Sequence, residues 1–132
     1  MIKDITFPEV EGVAIAIVQD IEGLEEYDVY LINLKTTDIK NVMVVSTGYG
    51  LLNEKQMKTS TLRHFFDEIK QQDYIKIEPI QKEVFGLSNE FWLSFSLNNQ
   101  LYDKQFVFLP ETIVESNFVT IPIVGKRGVM IK

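Results

Sequence analysis

The chain has 132 residues, 45% of them apolar and 24% charged, with a formal net charge of −6. That is material for one ordinary hydrophobic core over residues 1–132 and too apolar for disorder. The acidity works against phosphate backbones and anionic membrane surfaces, so neither nucleic acid nor a membrane is an expected partner. The absence of cysteine excludes disulfides, thiolate metal sites and cysteine nucleophiles.

Residues Met1 to Val10 carry Asp4 and Glu9 and lack the basic-then-apolar pattern of a secretory leader. The apolar run Val13 to Val18 is far shorter than the ~20 residues of a spanning helix, so the expected location is cytoplasmic. Arg63 and Arg127 are the only arginines, and the lysines are scattered rather than gathered into a stripe.

Strand-like segments recur between turn residues. Gly12 to Val18 is apolar on both faces, which predicts a strand covered on both sides. Asp20 to Glu26, containing Gly23, reads as an acidic turn, Tyr27 to Leu34 as the second strand and Thr36 to Asp38 as the next turn. Val42 to Thr47 is a β-branched strand that Gly48-Tyr49-Gly50 is expected to break, with a polar loop from Asn53 to Lys58.

Residues 60–69 fit two periods. Leu62, Phe65, Phe66 and Ile69 match a helical stripe capped by Ser60, while Thr59, Thr61, Arg63 and Phe65 alternate with Ser60, Leu62, His64 and Phe66 as in a strand. Strand is preferred because the neighbours are strands, with one short helix near 61–70 as the alternative.

Tyr74 to Glu78 reads as a strand ended by Pro79. Phe91, Leu93, Phe95 and Leu97 alternate inward against Trp92, Ser94 and Ser96, and Asn98 to Gln100 turns the chain into Leu101 to Leu109. Phe118 to Ile123 and Val129 to Ile131 are late strands around the Gly125 to Gly128 turn. The predicted fold is all-β, an antiparallel immunoglobulin-like β-sandwich of seven to nine strands.

No motif carries chemistry outright. His64 is the only histidine, so it cannot build the usual zinc site, and a serine triad with Ser60 or Ser94 and Asp67 or Asp103 lacks the Gly-x-Ser-x-Gly elbow. Glu22, Glu25, Glu26 and Asp28 do not follow the calcium-loop spacing, and neither Gly48-x-Gly50 nor Gly125 to Gly128 continues into a phosphate-binding loop. No catalytic residue, metal site or cofactor is therefore expected.

The candidate binding residues are Arg63, His64, Trp92, Tyr102, Asp103 and Lys104. Arg63 offers a bidentate fork for a carboxylate or phosphate, or a structural pair with Glu78 or Glu90. Trp92 and Tyr102 on adjoining strands suggest an aromatic anchor at an interface, against the alternative of a core tryptophan.

The strings VYLIN at 29–33, VMVVSTGYG at 42–50, TSTLRH at 59–64, NEFWLSF at 89–95 and YDKQF at 102–106 resemble a family of short bacterial conserved proteins. The resemblance covers roughly residues 10 to 131. Some members of that family are labelled phenylalanyl-tRNA synthetase alpha subunit, which implies a link to aminoacylation. It carries over no catalytic residue.

The expected function is a non-enzymatic cytoplasmic binding or assembly module that recognises a protein partner or a second copy of itself. The alternative is an enzyme or accessory subunit for a small anionic substrate. Arg63, His64 and Lys104 would then converge on one pocket with Asp103 or Glu90.

Overall fold

The computed structural model describes residues 10–21 and 24–132. The leader reading of residues 1–9, and Glu22 and Gly23 of the acidic turn, lie outside them. The strands in chain order are β1 (Val13–Gln19), β2 (Tyr27–Asn33), β3 (Ile39–Leu52), β4 (Lys55–Lys58), β5 (Leu62–Ile69), β6 (Asp73–Ile80), β7 (Ser88–Leu97), β8 (Gln100–Phe108), β9 (Val119–Thr120) and β10 (Arg127–Ile131). The expected all-β antiparallel sandwich is what forms. Strands β6-β2-β1-β10-β9 make the first sheet; in the second, β3 pairs with both β4 and β5 along one edge and with β7, then β8, along the other. Among the described residues no helix is long and apolar enough to cross a membrane.

One face of each sheet turns inward. Val13, Ile15, Ile17, Val29 and Leu31 of the first sheet pack against Val42, Val44, Phe91, Leu93, Phe95 and Phe106 of the second. The alternation along β7 is as expected, with Phe91, Leu93 and Phe95 at most 2% exposed. Strand β1 is covered on both sides, also as expected. Its other face, Ala14, Ala16 and Val18, joins Tyr30 and Ile32 under Ile121 and Val124 of the segment that links β9 to β10. Alanines suit that second layer because the covering segment lies close.

The chain crosses from the first sheet to the second after β2 and back after β5. Asn33, fully buried, fastens these two of the four crossings: its Nδ2 donates to the carbonyls of Thr37, Ile69 and Lys70 at 2.9, 3.1 and 3.1 Å. Its Oδ1 accepts from the Lys35 amide at 3.0 Å, so this buried amide is satisfied at both ends.

Four expectations are corrected. Gly48 to Gly50 does not break the strand: β3 runs 14 residues through it, with Tyr49 and Gly50 paired to Lys58 and Met57. The polar stretch 53–58 is a hairpin, because Asn53 and Glu54 both take positive φ (52° and 65°) and turn β3 into β4 in two residues. Pro79 does not end β6, which continues to Ile80; β6 is the edge of its sheet, where a missing N–H leaves no ladder bond unmade. Ten strands exceed the expected seven to nine because β4 lies in the stretch read as a loop, and the late strand expected over Phe118 to Ile123 is reduced to Val119–Thr120. Residues 62–69 form a strand rather than a helix, the alternative the neighbours favoured.

Candidate functional site

Pairing across the second sheet sorts the candidate residues by face. Val45 lies between Arg63 on β5 and Trp92 on β7, and Met43 lies between Phe65 and Ser94. Val44 and Ser46 are buried, so by strand alternation Met43, Val45 and their partners Phe65, Arg63 and Trp92 face outward. Asp103 opposite Ser94, and Glu90 opposite Thr47, extend the same face.

This outer face is apolar at its centre. Phe65 is 73% exposed and Trp92 41%, with Met43 and Val45 half-buried between them. Asp67, Glu90 and Asp103 surround the centre. Among the described residues none of these acids, nor Arg63, has an ion-pair partner. The contrast with the first sheet is direct. There the chain folds its own segment over the outer face, and here no segment among the described residues covers it.

The other three candidates point inward. Tyr102 pairs with Phe95 and stacks on its ring, with centroids 5.2 Å apart, so it does not join Trp92 in an aromatic patch. Lys104 places its Nζ 5.2 Å from the Phe106 ring and donates to the Val10 carbonyl at 3.3 Å. His64, paired with Val44, turns to the gap between the sheets. Arg63 and Asp103 on one face are thus separated by the sheet from His64 and Lys104 on the other.

Inside that gap is a network the sequence reading missed. The pairing of β2 with β6 slips at Val29/Tyr30, leaving Ile77 as an extra residue in β6. Such a bulge re-aims side chains, and Glu78 turns toward the second sheet. Its Oε1 accepts from Ser46 Oγ at 2.7 Å and meets His64 Nε2 at 2.8 Å. Ser46 is bonded to the carboxylate rather than to the imidazole, so the order of a nucleophile, base and orienting acid is not present. Neither Ser60 nor Ser94 takes part.

A second polar cluster lies at the end of β1. Asp20 Oδ1 accepts from Tyr30 at 2.7 Å and from Lys126 at 2.8 Å, and Lys76 stands 3.8 Å from its other oxygen. Burial pushes the Asp20 carboxyl up, but the bonds from Lys126 and Tyr30 and the charges of Lys126 and Lys76 outweigh it and hold it below the usual range. Tyr30 is pushed well above its ordinary value by burial and by the Asp20 carboxylate. Among the described residues no group of three or more acidic or histidine side chains is placed to hold a metal ion.

No protein-family model matches the chain, and no curated protein matches it.

Proposed function

We propose that the protein is a non-enzymatic binding module whose docking surface is the outer face of the second sheet, and that its occupant is a basic protein. The observation that supports this reading is the solvent-facing cluster of Phe65, Met43, Val45 and Trp92, set among the carboxylates of Asp67, Glu90 and Asp103. Exposed aromatics on a rigid sheet lose little entropy on docking and are the residues that most often dominate binding energy. The acidic rim selects the partner: a second copy would bring three carboxylates against one Arg63 and the same net charge of −6, whereas a basic surface is complementary. The division of Arg63 and Asp103 from His64 and Lys104 gives the small-anion enzyme reading no common pocket.

The test is capture from native extract, followed by reconstitution with the purified captured protein. The reading expects a basic partner whose affinity falls at least tenfold for Phe65→Ser/Trp92→Ala, falls with added salt, and is unchanged for Tyr74→Ala on the other sheet. A partner bound equally by wild type and the double variant overturns it, as does a wild type that sediments as a dimer at micromolar concentration.

A further inference from the structure

The open end of the gap between the sheets holds a cleft of about 190 Å³, room for on the order of six water molecules, bounded by Ser46, Gly48, Thr59, Glu78, Asn89 and the apolar wall of Phe91. Its polar groups are unusual in what they have left to offer. Ser46 Oγ gives its proton to Glu78 Oε1 at 2.7 Å. Asn89 spends its amide on the carbonyls of Val84 and Leu87 at 2.9 and 3.2 Å. Thr59 Oγ1 accepts from the Gly48 amide at 2.7 Å and donates to the Ser60 carbonyl at 3.1 Å.

The donors at the buried end are therefore engaged within the protein, and acceptors remain. Among the described residues Glu78 Oε2 and Asn89 Oδ1 have no hydrogen-bond partner, and neither is sealed from solvent. An ideal Cβ at Gly48 would lie 3.3 Å from that Asn89 oxygen and 3.0 Å from the Thr59 methyl, so the absence of a side chain there keeps the cleft open. Of the described residues lining it, Glu78 is the one with a formal charge.

We infer that this cleft binds a primary ammonium group on a short apolar stem. An ammonium brings three donors and no acceptor, the complement of a carboxylate oxygen, an amide oxygen and a hydroxyl lone pair. The apolar wall takes the stem, and an anion is repelled by Glu78. The group has two sources, a free alkylamine or a lysine side chain of another protein. The inference is independent of the docking surface, which lies on the opposite face of the sheet.

The experiment is an amide-resolved NMR titration of the whole protein with n-butylammonium, n-butyrate and n-butanol. Saturable shifts at Gly48, Ser60 and Asn89 are expected for n-butylammonium alone, with affinity at least tenfold lower in Glu78→Gln. Nα-acetyl-lysine methylamide binding more tightly than n-butylammonium assigns the site to a protein side chain; the reverse order assigns it to a free amine. Equal shifts with n-butyrate, or no saturable shift with n-butylammonium, overturn the inference. This comparison uses wild type alone and stands whether or not the variant folds.

Discussion

His64 and Glu78 lie on neighbouring edges of opposite sheets and meet at 2.8 Å, so that one carboxylate oxygen, shared with Ser46, ties β5 and β3 to β6. Glu78 is 12% exposed at its side chain and Ser46 is 5% exposed, so these bonds form largely away from bulk solvent. Glu78→Ala strands the hydroxyl and the imidazole together and is expected to cost about 1–3 kcal/mol. Glu78→Gln keeps an acceptor oxygen and costs less. Urea unfolding of the two variants checks the order.

Asp20 gives the molecule an acid-sensitive contact. Its carboxyl is held below the usual range in the folded state, so its contribution is present above the unfolded value, about pH 4, and is lost as pH falls through the folded value. Tyr30 has the opposite sign: its raised value makes its contribution complete below about pH 10 and lost as pH rises beyond. Asp20→Asn should flatten the acid limb of a melting-temperature profile, and Tyr30→Phe the alkaline limb. Profiles that keep the wild-type shape would show that the cluster is not linked to folding.

Phe65 and Trp92 are the large aromatics that the second sheet turns outward. Phe65→Ser should change stability by less than about 1 kcal/mol, because that side chain is 73% exposed, and Trp92→Ala, at 41% exposed, should cost clearly less than loss of a buried aromatic. Phe91→Ala, one residue from Trp92 but 2% exposed, should cost about 3–5 kcal/mol. Denaturant midpoints for the three variants separate a surface kept for binding from one kept for folding.

Gly128 sits close against β1: an ideal Cβ there would run into the Ile17 carbonyl oxygen. The obstacle is backbone and cannot rotate away. Gly128→Ala should separate the strands and cost at least the roughly 1–3 kcal/mol of an overpacked core. Faster amide exchange at Val18 and Gln19, which flank the contact, would report the separation.

The parts of the fold legible in the sequence are those with one period and two clear faces. Phe91, Leu93 and Phe95 against Trp92 and Ser94 admit a single reading, and the doubly apolar run of β1 correctly implies a cover on each side. Residues 62–69 are ambiguous for a physical reason: the helical stripe counts Leu62 and Phe65 as core, yet they are 46% and 73% exposed. Leu62 at the mouth of the cleft and Phe65 on the outer face, neither of them core, mimic a helix period.

Pro79 misleads because its effect depends on being at a sheet edge, which local sequence does not encode. The Ser46–Glu78–His64 network is illegible for the same reason, since a bulge at Ile77 and the meeting of two sheets both have to be known first. Of the candidate site, Arg63, Trp92 and Asp103 do share a face. Phe65, its most exposed member, carried no sequence signal apart from its ambiguity.

The most direct test of the docking surface is site-specific photo-crosslinking in cells, with a benzophenone side chain placed in turn at positions 65, 92 and 74. The account predicts one shared adduct from 65 and 92, containing a basic protein, and none of that mass from 74 on the other sheet. The same adduct from all three positions, an adduct of twice the chain's own mass, or none from 65 and 92 would contradict it.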